Sequence, residues 1–216
     1  MTGRPRILLT GFAPFAGLPV NPSGEVVRRL ERTGVNIAAD LVCRILPIAY
    51  RAVPGVLRDL VAEHRPDAAL SLGVAIGAPV VRVETTALNR VAFRVPDEDG
   101  LMPGETPEPD GPAARGATYR AESVMRAIRA AGVPAAVSHH AGTHLCNLTL
   151  YTLLGLLPAD APCGFLHLPL LPEQVAAMMD EADGKPATAP FAPTDLPSIA
   201  LDLQTRAVAA ALSALF

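Results

Sequence analysis

Arg6-Ile7-Leu8-Leu9-Thr10-Gly11-Phe12-Ala13-Pro14-Phe15-Ala16-Gly17, followed closely by Asn21-Pro22-Ser23, is the stretch on which the fold turns. Residues 6–10 read as a buried strand, and the apolar run ends abruptly where glycine and proline forbid regular structure. Beyond that loop, Pro22 is tolerated in the first turn of a helix whose Val26, Val27 and Leu30 share one face. The order is strand, loop, helix.

Working outward, the same alternation recurs along the chain. Residues 38–48 read as extended, 53–64 as helical, and 68–73 as a short apolar strand closing on Gly73. Residues 80–95 carry β-branched side chains in two extended pieces, and 96–116 are crowded with proline, glycine and acidic residues. That crowding predicts an irregular surface excursion. A helix is expected over 119–131, a short strand over 135–138, an apolar helix over 145–157 and a buried strand over 163–170. Helices over 172–181 and 199–216 close the chain around a proline-rich link at 185–197. The alternation defines the α/β class, and no internal repeat is found. Ligands of open α/β sheets gather beyond the carboxyl ends of the strands. The loop 11–17, the residues after Ser138 and those after Leu166 are therefore the expected functional positions.

With 216 residues, half of them hydrophobic, the chain has the size of one large domain over 1–216. Such a chain buries about two-thirds of its unfolded surface. A net charge of −3 and a pI near 5.9 leave no broad basic face for a phosphate backbone, so no nucleic-acid partner is expected. The first eleven residues lack the length and cleavage site of a secretory signal, and the apolar end at 207–216 is too short to span a bilayer. No membrane partner is expected, and the reading is of a soluble, cytoplasmic protein. Cys43, Cys146 and Cys163 are odd in number, widely spaced and free of any C-x-x-C unit. In a reducing compartment each thiol stays free, and the question becomes which one reacts.

Cys146 follows a short strand and the turn at Gly142, which places it near the first turn of an apolar helix, where the helix dipole favours thiolate. His167, within Gly164-Phe165-Leu166-His167-Leu168-Pro169, is an imidazole in an apolar run, able to protonate a leaving amine near neutral pH. Glu84, in Val81-Arg82-Val83-Glu84-Thr85-Thr86, is costly to bury alone, and as the imidazole's partner it would fix the tautomer. Pattern alone leaves plain readings open. Cys146 also reads as a core thiol, His167 as a satisfied core histidine, and Glu84 as an edge residue in solvent or paired with Arg82 or Arg94.

Five blocks then resemble one family in order and spacing. They are Thr10-Gly11-Phe12-Ala13-Pro14-Phe15 with Asn21-Pro22-Ser23; Glu84 with Asn89, Arg94 and Pro96-Asp97; Asp110-Gly111-Pro112; Ser138-His139-His140-Ala141-Gly142-Thr143-His144-Leu145-Cys146-Asn147; and Gly164 to Pro169 with Leu171-Pro172-Glu173-Gln174. Together they resemble the pyroglutamyl peptidase I (pyrrolidone-carboxylate peptidase) family of cysteine peptidases. The resemblance implies a three-layer α/β/α sandwich around a mixed, mostly parallel sheet, often assembled as a homotetramer. It implies Cys146 as nucleophile, His167 as general acid and base and Glu84 as orienter, with no metal and no organic cofactor. The implied substrates are peptides with an N-terminal pyroglutamyl residue. Phe12 and Phe15 would line the lactam pocket, Asn21 would brace their loop, and Arg94 with the Cys146 N–H would face the reacting carbonyl. Val95 and Leu145, adjoining Arg94 and Cys146, are expected in the same pocket. His144 stands where many members carry an aromatic lid, which implies a more polar pocket. Thr85-Thr86 and Arg90-Val91 also replace residues more typical of the family.

Three rival readings compete. His139, His140, His144 and Cys146 read as ligands of a metal-dependent hydrolase, although no H-E-x-x-H unit is present. A nucleoside-phosphorylase-like enzyme would need a phosphate loop, for which Gly73 to Gly77 is the sole glycine-rich candidate, without a P-loop lysine. A catalytically silent, peptide-binding homologue is the third.

Overall fold

The computed structural model describes residues 3–15, 17–182 and 195–216. Among the described residues, eight strands and six helices follow one another. Strand β1 (Arg6–Phe12) is buried beyond its first residue and runs two residues further than the pattern predicts, carrying Phe12 within the strand. Asn21 caps helix α1 (Pro22–Thr33), its side chain accepting from the Ser23 N–H, with Pro22 in the first turn. Helix α1 lies very close to β1. A Cβ on Gly11 would stand 2.5 Å from Ser23 O, and one on Gly24 would stand 2.5 Å from Phe12 O.

Six strands form the main sheet in the order β2-β1-β3-β8-β4-β7, comprising β2 (Asp40–Leu46), β3 (Ala68–Val74), β4 (Val81–Glu84), β7 (Ala135–Ser138) and β8 (Cys163–Leu168) beside β1. The first four in this order are parallel. Strand β4 pairs with β8 antiparallel and with β7 parallel, so β4 and β7 run opposite to the rest. Side chains alternate across the sheet. Ile7, Leu9, Leu70, Leu72, Val81, Val83, Leu166 and Leu168 join one core with α1, α3 (Ala121–Ala130) and α6 (Leu201–Ser213). Leu8, Phe12, Ala69, Cys163 and Phe165 face a second core with α2 (Val53–His64) and α4 (Leu145–Leu156). The architecture is therefore a three-layer α/β/α sandwich with a mixed, mostly parallel sheet. Helix α5 (Pro172–Ala182) follows β8.

Several expectations are corrected. The excursion at 96–116 contains strand β6 (Ala114–Gly116), paired antiparallel with β5 (Thr86–Leu88) in a separate two-stranded sheet. It is also tied down along its length. Asn89 exchanges bonds with the Glu108 backbone, and Asp97 accepts from the N–H groups of Tyr50, Asp99 and Leu101. Helix α6 is shorter than the predicted 199–216. The proline-rich link at 185–197 lies outside the described residues except for its last three positions.

The contact between α1 and β1 gives a first test. Because Gly11 meets backbone rather than a yielding side chain, Gly11→Ala is expected to lower unfolding stability by about 1–3 kcal/mol. A urea midpoint equal to that of the parent protein would show that the helix yields freely.

Candidate active site

Cys146 is the second residue of α4, whose N-cap position, His144, supplies no side-chain cap. The first-turn N–H groups point out of the helix without intrahelical acceptors, which makes this end attractive to negative charge. Cys146 is half-buried, while Cys43 and Cys163 are buried. Burial pushes the Cys43 thiol up to about 11, with Glu31 adding to it and Arg44 opposing, and it pushes Cys163 up to about 12. Neither forms a thiolate readily.

The sulfur rests on the sheet above Gly73, where an added Cβ would approach it to 2.8 Å. Gly73 is the register partner of His167 on β8, and His167 is in turn the register partner of Arg82 on β4. Residues in one register row share a face of the sheet, so His167 projects toward the same side as the sulfur. Glu84 lies two residues along β4 from Arg82 and reaches diagonally to His167. Its Oε1 accepts from Nδ1 at 2.8 Å, and its exposure is 0%. The alternatives of a solvated edge or a pairing with an arginine are set aside for Glu84.

This arrangement controls the imidazole. Burial by itself pushes the His167 pKa down, but attraction to the Cys146 thiolate, hydrogen bonds to Cys146 and Glu84, and the Glu84 charge together raise it to about 9. With Nδ1 held by Glu84, Nε2 is the nitrogen left to serve Cys146. Glu84 Oε2 has no hydrogen-bond partner among the described residues, so the imidazolium is the main compensation for this carboxylate.

A cavity of about 370 Å³ opens over these groups. All ten residues singled out from sequence line it: Phe12, Phe15, Asn21, Glu84, Arg94, Val95, His144, Leu145, Cys146 and His167. Asn21 donates from Nδ2 to Ala13 O and so holds the loop that carries Phe15. Arg94 and Val95 are exposed at the mouth. His144 stacks on Phe93 with ring centroids 3.8 Å apart, lies 5.9 Å from the Phe15 ring, and places Nε2 3.4 Å from Val95 O. Burial lowers its pKa, against opposing effects from the Val95 carbonyl and Asp97, so the ring is neutral at neutral pH.

The metal reading fails on geometry. His139 and His140 are exposed, His140 Nδ1 accepts from the Gly142 N–H, and His144 is engaged with Phe93. Among the described residues, no group of three or more His, Cys, Asp or Glu side chains converges on a common point. The phosphate-loop reading fails too. Gly73 is in a strand beneath a thiol, and only Gly77, at φ 81°, forms a turn. Of the three expected positions, the loop 11–17, the residues after Ser138 and His167 just after Leu166 all contribute to the cavity, but Ser138 and Glu84 end strands β7 and β4, which run opposite to β8, so the carboxyl-edge rule accounts only for β1 and β8. Among the described residues, no helix is long and apolar enough to cross a membrane.

Comparison with known proteins gives a direct result. A profile of the pyroglutamyl peptidase family matches residues 5–216. The chain belongs to the pyroglutamyl peptidase family. It is 42% identical to a pyrrolidone-carboxylate peptidase of Gloeobacter violaceus over 85% of this chain and 90% of that protein. It is 43% identical to one of Pseudomonas fluorescens over 78% of this chain and 80% of that one. The crystal structure of pyroglutamyl peptidase I from Bacillus amyloliquefaciens is similar with a TM-score of 0.83 and 34% identity, covering 98% of this chain and 96% of that one. Pyrrolidone carboxyl peptidase from Thermococcus litoralis gives a TM-score of 0.85 at 28% identity, covering 98% and 93%.

Three residues of this pyroglutamyl peptidase family member escaped the sequence reading of the site. Gly73 makes room for the thiol, and its signal was a glycine inside a strand, which marks a close approach. Asn147 is fully buried, accepts from Leu88 N–H at 2.7 Å and donates to Leu88 O and Arg90 O, so it fixes the chain beside β5 to α4. Its signal was an amide in the first turn of an apolar helix. Tyr119 donates from its hydroxyl to Glu84 O at 2.9 Å or Phe165 O at 3.1 Å and clasps the antiparallel pair, packed on Gly164. Nothing in a single sequence ties it to the site.

The raised pKa of His167 yields a signed prediction. The unfolded chain's histidine titrates near 6.5. The folding stability contributed by this group is therefore fully present below about pH 6.5 and is lost as pH rises through about 9. In Glu84→Gln, a neutral partner replaces the carboxylate, and the NMR titration midpoint of the His167 ring is expected to fall. A midpoint unchanged by the substitution would show that Glu84 does not hold the proton.

Proposed function

We propose that the chain hydrolyses the amide bond after an N-terminal pyroglutamyl residue, with Cys146 as nucleophile, His167 as general acid and base, and Glu84 as orienter. One observation carries this reading. The half-buried Cys146 thiol lies over Gly73, the register partner of His167, whose imidazole bonds the buried Glu84 carboxylate, and all three side chains line one largely apolar cavity. Family membership supports the chemistry, and the crystal structure of the Bacillus amyloliquefaciens relative carries the name pyroglutamyl peptidase I.

The steps follow from the atoms present. The sulfur attacks the carbonyl carbon, and the electron pair moves onto oxygen, which the first-turn N–H of Cys146 and the Arg94 guanidinium would stabilise. As the C–N bond breaks, the Nε2 proton passes to the leaving amine, giving a thioester on Cys146 and a neutral imidazole. That imidazole then takes a proton from water, which attacks the thioester. Pyroglutamate departs, and the thiolate and imidazolium are restored.

Specificity follows from the walls. The lactam ring is compact and uncharged, and Phe12, Phe15, Leu145 and neutral His144 offer an apolar slot for it. A free α-amine or an open glutamate chain would carry charge into that slot. His144, stacked on Phe93, takes the place of an aromatic lid. Within the same proposal, residues 1–216 form one catalytic domain, homotetrameric by resemblance, located in the cytoplasm and acting on N-terminally pyroglutamylated peptides.

Cys146→Ala is expected to abolish release of a chromophore from a pyroglutamyl anilide, lowering kcat/KM by a factor on the order of 10⁴ or more. Circular dichroism would report an intact fold. Turnover near the parental rate in that variant would remove the thiol from the mechanism.

A further inference from the structure

The register of the sheet sets the direction in which a substrate lies. Reading across from β1, the order is Phe12 and its loop, then Gly73 of β3 beneath the Cys146 sulfur, then His167 of β8, then Arg82 of β4. Neighbouring strands are about 4.8 Å apart, and one residue of peptide spans about 3.8 Å between Cα atoms. A ring held by Phe12 and Phe15 puts the scissile carbonyl over Cys146 and the leaving amine at His167. The next residue of the substrate then falls beside Arg82, on the far side of the general acid from the nucleophile.

Arg82 is exposed and lines the cavity. Among the described residues it has no carboxylate within ion-pair distance and no hydrogen-bond partner, and the same is true of Arg94. The carboxylate on the cavity floor, Glu84, is committed to His167. The mouth of the cavity is thus cationic in a chain whose net charge is −3. An unpaired guanidinium beside the departing residue is a fork suited to carboxylate.

Resting on the peptidase reading above, we propose that Arg82 selects substrates with a carboxylate on the residue that follows pyroglutamate. Two sources supply that group: the free α-carboxylate of a pyroglutamyl dipeptide, or the side chain of an acidic second residue. An exposed pair of this kind is worth up to about fivefold in rate ratio and weakens as salt screens it.

The test compares kcat/KM at low salt for pyroglutamyl-alanine, pyroglutamyl-alanine amide and pyroglutamyl-glutamate amide, using the full chain. The wild type is expected to favour at least one carboxylate-bearing substrate over the alanine amide by about three- to fivefold. Which one gains identifies the source. Arg82→Gln is expected to bring the ratio to about one, Arg82→Glu to invert it, and Arg82→Lys to retain part of it. Because the ratio is internal to each variant, partial unfolding does not move it. A wild type without preference, or a preference that survives Arg82→Gln, overturns the assignment. Failure of the wild type to cleave any of the three overturns the peptidase reading and this inference with it.

Discussion

A carboxylate shut away from water must be compensated, and Glu84 finds its compensation in His167, 2.8 Å away. The bond exists because β4 enters the sheet against the direction of β8, which sets Glu84 opposite Phe165 and lets its side chain reach diagonally to the imidazole. Tyr119 clasps that antiparallel pair through the carbonyls of Glu84 and Phe165. The imidazole is thereby fixed in place and in tautomer. In the proposed mechanism, this contact sets which ring nitrogen is left for proton transfer.

The Cys146 thiol, the proposed nucleophile, is positioned by a different device. Helix α4 approaches the sheet until the Cys146 sulfur rests on Gly73, and Asn147, one residue along, anchors the helix start to Leu88 and Arg90. A side chain on Gly73 would meet both the Cys146 sulfur and the Phe165 ring at 2.8 Å. The thiol and the imidazole thus come from elements fixed independently, the helix by Asn147 and the strand by the sheet ladder. The seating of the sulfur on the sheet depends on one missing methyl group.

Much of this was legible in the chain. The strands β1, β3, β7 and β8 and the helices α1, α2 and α4 fall where apolar patterning and the Gly and Pro breakers put them, because each is a locally consistent run. Cys146 and His167 stood out as polar groups in apolar surroundings. Three features were not legible. Strand direction leaves no mark on a single segment, so the reversal of β4 and its diagonal reach to His167 had to come from the assembled sheet. Strand β6 was hidden among prolines and glycines, and its pairing with β5 depends on tertiary ties such as Asn89 to Glu108. Gly73 signalled a close approach as a glycine inside a strand, but not that a thiol makes it.

On the proposed mechanism, Cys146 becomes acylated by the pyroglutamyl group. Rapid mixing of the full chain with a pyroglutamyl anilide, acid quenching within the first turnover and intact-protein mass spectrometry test it directly. The account predicts a transient mass gain of one pyroglutamyl acyl group, mapped to the peptide that contains Cys146 and absent from Cys146→Ala. Product release with no adduct at any quench time under conditions where deacylation is slow, or an adduct on Cys43 or Cys163, would contradict it.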